Sequence, residues 1–240
     1  MGKIIIAASG KGGVGKSVFT VNLGATFAER GVKVVMIDMN LGLRNLDIYL
    51  GLENRVIFDV ADVLGGLCGY KRALLRDKRF SCLHMIPATQ DRRKFAFDAE
   101  TVADFYAGLR ENYDYVLVDG PAGVGRDMAL AAAGGDIAVI ITTLEYVALR
   151  DADMADRVLS EAGVTQRACV LNKVNRRLMR SGLFPSFEDV SARVRPPLVG
   201  IIQYDENIHI SANCGVPIVH QKGSYIEENF NRIADRLLGL

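Results

Sequence analysis

Eight residues, Gly10-Lys11-Gly12-Gly13-Val14-Gly15-Lys16-Ser17, satisfy the pattern G-x-x-x-x-G-K-[ST]. They stand between a continuous apolar run at residues 4–8 and a segment of helical apolar spacing at 18–30. That order demands a buried strand, a tight Gly-rich loop and a helix in succession, the opening unit of an α/β fold. The glycines let backbone N–H groups turn inward around phosphate oxygens, where a Cβ would obstruct them. The helix that begins at Ser17 and Val18 adds the partial positive charge of its N-terminus. Lys16 supplies a mobile cation for the outer phosphates, and the Ser17 hydroxyl can ligate Mg²⁺. Residues 10–18 are therefore the expected cradle for ATP or ADP with Mg²⁺.

The rest of the chain repeats the strand–helix theme. Further apolar runs fall at residues 32–38, 82–87, 115–119, 137–142, 168–172 and 198–202, most of them continuous rather than alternating. Continuous runs suit strands covered on both faces. Between them, apolar residues recur at helical spacing at 99–111, 147–161, 187–194, 207–214 and 226–238. The expectation is an α/β, doubly wound, mainly parallel sheet flanked by helices. No linker or repeat divides residues 1–240, so a single domain is expected.

Bulk properties exclude several function classes. A net charge of +1 gives no electrostatic case for nucleic acid or an anionic membrane. Basic clusters at Lys71/Arg72/Arg76/Lys78/Arg79, Arg92/Arg93/Lys94 and Arg176/Arg177/Arg180 read as solvated faces. Cys68, Cys82, Cys169 and Cys214 form no C-x-x-C pair, which argues against a zinc ribbon, a redox motif or a disulfide scaffold. Cys82 and Cys169, in apolar runs, are expected in the core. His84, His209 and His220 are scattered and receive no role. No signal-type segment opens the chain, and no apolar stretch approaches membrane-spanning length, which fits a cytoplasmic protein.

Two acids complete the expected site. The run 115–119 ends in Asp119, the Walker B pattern that holds Mg²⁺, usually through water. The run 34–38 ends in Asp38. Ligands gather at the carboxyl ends of parallel strands, so both acids should face the crevice beside the phosphate loop.

Lys11, one residue after the first glycine, makes the loop read K-G-G-V-G-K-[ST]. That string resembles the deviant Walker A box of the MinD/ParA class of P-loop ATPases, a group with a nitrogenase-iron-protein-like fold. The resemblance narrows to the MinD family on Gly42-Leu43-Arg44-Asn45-Leu46-Asp47, on Gly51-Leu52-Glu53-Asn54-Arg55 and on Asp119-Gly120-Pro121-Ala122-Gly123. Residues 141–145, ending in Glu145, and Arg150-Asp151-Ala152-Asp153 add to it. It runs from about Lys3 to Leu238. It implies an ATPase, dimeric with ATP, in which Lys11 reaches the partner's phosphates as an arginine finger would. Catalytic roles would fall to Lys11, Lys16, Asp38, Asn40 and Asp119, with metal ligation by Ser17, Asp38 and Asp119. Nucleotide contacts would extend to Glu145, Asn172, Ile202, Gln203 and Tyr204, although Gln203 stands where the family usually has proline. The implied partners are a MinC-like division inhibitor and a MinE-like activator, with Asp151 and Asp153 as contacts.

Two departures carry consequences. The family pattern after Asp38 is D-x-D, and here the segment reads Asp38-Met39-Asn40. Asn could orient a water but cannot accept a proton, so slow turnover is expected; the alternatives are a nucleotide-gated binding protein with negligible hydrolysis, or an ATPase that resembles ParA or the flagellar-number regulators. MinD proteins also carry a short basic amphipathic tail that lies on anionic membrane. Residues 226–238 match the last domain helix instead, so membrane binding is expected only with a tail restored.

Overall fold

The computed structural model describes residues 1–239, and Leu240 lies outside them. One sheet contains β1 (Lys3–Ser9), β2 (Val34–Asp38), β3 (Leu75–Arg76), β4 (Leu83–Ile86), β5 (Tyr115–Ala122), β6 (Ile137–Thr143), β7 (Gln166–Val174) and β8 (Leu198–Gln203). The spatial order is β3-β4-β2-β5-β1-β6-β7-β8. Pairing is parallel throughout except between β3 and β4, which are antiparallel. Six helices fall where helical spacing places them: α1 (Lys16–Glu29), α5 (Ala99–Leu109), α7 (Tyr146–Glu161), α9 (Phe187–Arg193), α10 (Glu206–Asn213) and α11 (Tyr225–Leu238).

Five short helices carry no periodic signal: α2 (Leu46–Tyr49), α3 (Val60–Leu64), α4 (Tyr70–Ala73), α6 (Arg126–Ala131) and α8 (Arg176–Arg180). One or two turns are too short to show a 3.6-residue repeat, so caps and packing decide them. In α3, for example, Asp59 and Asp62 form a reciprocal capping box. The two-residue β3 is equally invisible from sequence, since it exists only by pairing with β4.

The continuous apolar strands are covered on both faces, and their residues divide between two cores. Ile5 and Ala7 of β1 face one, and Ile4, Ile6 and Ala8 face the other. The first core is closed by α1 and α11, where Phe19 and Phe230 lie with ring centroids 5.8 Å apart. The second is closed by α5 and α7 through Tyr106, Leu109, Leu149 and Leu159. Each such side chain contributes about 1.5–3 kcal/mol on burial. Cys169 is buried as expected, but Cys82 is only half-buried, because it precedes β4 at the end where the sheet opens to solvent. No helix among the described residues is long and apolar enough to cross a membrane.

This frame brings β1, β2 and β5 together at their carboxyl ends. Register pairs Asp119 with Ala7 on one side and with Asp38 on the other. The two strand-end acids thus become neighbours beneath the loop that follows β1.

Candidate nucleotide site

The loop from Gly10 to Gly15 holds its shape through glycine at two left-handed positions, Gly13 (φ +79) and Gly15 (φ +92). A Cβ on Gly15 would lie 2.4 Å from Asn172 Nδ2, and one on Gly10 would lie 2.0 Å from the Asp151 carbonyl oxygen. Gly12 and Gly13 have nothing within 4 Å on their free side. The loop is therefore braced from behind and open in front. Helix α1 starts at Lys16 with no side-chain cap and no acid in its first turn, which leaves its first N–H groups available to an anion. In front lies a cleft of about 360 Å³, lined by Gly12 to Val18 and by Asn45, Tyr49, Asn172, Gln203 and Tyr204. Among the described residues the Ser9 hydroxyl on its wall is buried without a hydrogen-bond partner. A glycine cradle, a bare helix terminus and an orphaned hydroxyl are the features a bound triphosphate needs, so the residues present fit one.

Beneath the loop is a buried polar network. Lys16 Nζ lies 2.8 Å from Asp119 Oδ1, and Thr20 Oγ1 donates to the same oxygen at 3.1 Å. Asn40 Nδ2 donates to Asp119 Oδ2 at 2.6 Å and to Asp38 Oδ1 at 3.0 Å, while its Oδ1 accepts from Lys16 at 3.3 Å. Asp38 also accepts the backbone N–H groups of Asn40, Asn45 and Leu46. Burial, and then the Asp119 carboxylate beside it, push the Asp38 carboxyl above its ordinary pKa, against the hydrogen bonds from the Asn40 side chain and from the Asn45 and Asn40 backbone. Asp38 therefore ties the entry of α2 to the end of β2, and Asn40 is the amide that lets two carboxylates lie together. This differs from the expectation that Asn40 orients a water, because its amide is committed to its neighbours. Among the described residues no three His, Cys, Asp or Glu side chains cluster to hold a metal alone. That suits Mg²⁺, which is commonly held by one or two carboxylates together with substrate phosphates.

Lys11 points away from the cleft and meets Glu145 Oε2 at 2.8 Å, with both side chains nearly half exposed. The hydrogen bond and charge of Glu145 raise the Lys11 pKa. Glu145 is thus brought to Lys11 and not to the cleft wall. Ser17, Val18, Asn172, Gln203 and Tyr204 are all on that wall, whereas Ile202 is buried in the first core. Asp151 lies at the back of the loop beside Gly10, and Asp153 is engaged by Arg157 at 2.8 Å and Arg195 at 3.5 Å.

Sequence reasoning missed two contributors, Lys173 and Thr20. Lys173 adopts φ +56, a left-handed conformation rare for a non-glycine residue, and donates to the Gly13 carbonyl at 2.8 Å. Asn172 donates to the Val14 carbonyl at 2.7 Å. The end of β7 thereby clamps the phosphate loop at two successive carbonyls. Thr20 was also missed, although its place one turn after Lys16 on α1 was a usable signal.

A glycine cradle at the end of the central strand, opposite a buried lysine–carboxylate network, defines a P-loop nucleotide-binding protein. Residues 5–218 match the family model described as the CobQ/CobB/MinD/ParA nucleotide binding domain. The septum site-determining protein MinD of Synechocystis sp. is 40% identical over 240 residues, covering 100% of this chain and 90% of that protein. The MinC:MinD cell division protein complex of Aquifex aeolicus superposes with a TM-score of 0.88 at 36% identity, over 99% of this chain and 96% of that one. MinD of Pyrococcus horikoshii, solved with Mg-ADP, gives a TM-score of 0.88 at 28% identity, over 99% and 96% of the two chains. The chain belongs to the MinD/ParA nucleotide-binding family, and within it to the MinD proteins.

Proposed function

We propose that this chain is a MinD-type ATPase whose nucleotide state switches it between monomer and dimer in placing the cell-division site. The observation that carries the reading is the Lys16–Asp119–Asn40–Asp38 network directly beneath an open glycine cradle. Bound Mg-ATP would supply negative charge for the loop amides and a metal to offset developing charge on the transferred group. The Ser17 hydroxyl and Asp119 would hold that metal, Asp119 through water. Lys16 would exchange its contact with Asp119 for the outer phosphates, releasing the carboxylate to the metal shell. Asp38 holds Asn45 and Leu46, so the segment after β2 is mechanically tied to the acid pair. The base would lie along Asn172, Gln203 and Tyr204.

Lys11 provides the switch. Its ammonium rests on Glu145 at the protein surface, where a second copy's triphosphate can compete for it. ATP drives dimerisation only if it binds the dimer better than the monomer, and a lysine lent across the interface creates that difference. A MinC-like inhibitor, as in the Aquifex complex, and a MinE-like activator would read the dimer surface near Asp151 and Asp153. Membrane attachment would be peripheral and would need a basic amphipathic segment.

Hydrolysis is slow on this reading, because Asn40 offers no base and its amide is committed to two acids. That commitment favours a second reading, a nucleotide-gated binding protein with negligible hydrolysis. Phosphate release measured with light scattering under ATP, ADP and no nucleotide separates the two. Lys16→Ala that left Mg-nucleotide uptake untouched in calorimetry would refute both.

A further inference from the structure

Of the three basic clusters in the sequence, one is partly engaged within the fold and one wholly. Arg79 donates to Asp77 and to the carbonyls of Leu50 and Gly215, and Arg72 lies over the Phe58 ring. Arg92, Arg93 and Lys94 pair with Asp127, Asp91 and Asp62. The third cluster does not follow them. Among the described residues no ion pair engages Arg176, Arg177 or Arg180.

Two of these arginines open onto a second cavity, of about 520 Å³, larger than the nucleotide cleft. It runs along β8, the last strand of the sheet, between α8 and α11. Arg176 and Arg180 stand on one rim and Arg232 and Arg236 on the other. The walls also hold Phe187, Leu198 and Ile201, the first two about 40% exposed. Gly200 lets α11 approach β8 closely enough to shape the wall, since a Cβ there would lie 2.2 Å from Ile233 Cγ1. Among the described residues Arg232 pairs with Glu228 and Arg236 donates to the Val199 carbonyl, whereas Arg176 and Arg180 have no ion pair. The lining thus carries four arginines, with Glu228 beside it as the acid that pairs one of them.

We propose that this groove is a binding site for an extended acidic segment of another protein, with apolar side chains interspersed among its carboxylates. Two unpaired guanidinium groups on one rim, and two more with donors to spare on the other, call for carboxylates on the occupant, each able to form paired hydrogen bonds. The apolar wall calls for side chains that fill it. A nucleic-acid backbone would satisfy the arginines and leave Phe187 and Leu198 in water, and a free phosphate would do the same. Recognition runs through side chains more than through a continuous added ladder, because Arg236 already occupies the carbonyl of Val199 on this strand at 2.6 Å. The site is separate from the nucleotide cleft and shares only Gln203 with it.

The test uses the full chain and a fluorescein-labelled ten-residue peptide alternating Glu with Leu and Phe, read by fluorescence polarisation. The comparison probes are a ten-residue poly-Glu peptide, a 20-base-pair DNA duplex and phosphatidylglycerol vesicles. The expected result is that the mixed peptide binds more tightly than poly-Glu, DNA or vesicles. Arg176→Glu with Arg180→Glu should weaken it at least tenfold, and Phe187→Ser should weaken it several-fold. All variants should bind Mg-ATP as the parent does, which also shows that they fold. No peptide binding, equal affinity for all four probes, tighter binding of DNA or vesicles, or indifference to the charge reversal would each overturn the proposal.

Discussion

Replacing Asn40 by Asp probes the network under the phosphate loop directly. In the parent, the Asn40 amide nitrogen donates to Asp38 Oδ1 at 3.0 Å and to Asp119 Oδ2 at 2.6 Å. In Asn40→Asp an oxygen occupies that point, and three carboxylates share a buried place served by one ammonium, Lys16. Each unit-charge pair at about 4 Å is worth about 4 kcal/mol at an effective dielectric near 20. Two new repulsions against one strengthened attraction to Lys16 leave a net cost of about 4 kcal/mol. A second route gives the same ceiling. The cluster can keep a proton instead, and holding one at pH 7 on a carboxyl of ordinary pKa near 3.9 costs about 4 kcal/mol, or three units at about 1.4 each.

The nucleotide-free variant should therefore be about 4 kcal/mol less stable than the parent at pH 7 in urea unfolding. A carboxyl whose folded pKa is raised binds a proton that the unfolded chain lacks, so its penalty is full at high pH and fades as pH falls. The gap should shrink by about 1.4 kcal/mol per unit between pH 7 and pH 5. Mg-ATP should stabilise the variant more than the parent, because the metal offsets the added charge. If slow turnover stems from Asn40, single-turnover hydrolysis should also accelerate. A stability gap between variant and parent that is the same at pH 7 and pH 5 would refute the bridging role, and unchanged hydrolysis would remove Asn40 as the cause of slow turnover.

Lys11→Ala should abolish ATP-dependent dimerisation in light scattering while leaving the melting temperature within about 4 °C of the parent, since a solvent-exposed ion pair adds little to stability. Lys173→Met removes one arm of the clamp on Gly13, and calorimetry should show Mg-ATP affinity falling about tenfold, with the nucleotide-free fold intact. His84 has its pKa lowered by burial and then by Arg76, so the unfolded chain takes up its proton first. The parent should lose stability relative to His84→Gln as pH falls below about 6.5, and a constant difference from pH 7.5 to 5.5 would contradict that.

Much of this site is legible as local pattern. The loop from Gly10 to Ser17 and the acids at the ends of two apolar runs are contiguous strings whose chemistry follows from residue type and spacing, whereas the lysine at position 11 stands out only through the resemblance to the MinD/ParA class. The continuous runs also predict strands buried on both faces, and the six longer helices lie where their apolar repeats put them. Beyond that reach are the short helices and β3, which depend on caps and pairing.

Tertiary structure alone decided which residues meet. Sheet register makes Asp38 and Asp119 neighbours, and only then does Asn40 become the amide between them and not a weakened acid. The same holds for Lys173 on the Gly13 carbonyl, 160 residues away in the chain, and for Lys11 on Glu145, 134 residues away. A sequence fixes what each side chain can donate, accept or bury. Which partner receives it depends on how strands are ordered and registered, and that order is set by the whole core at once.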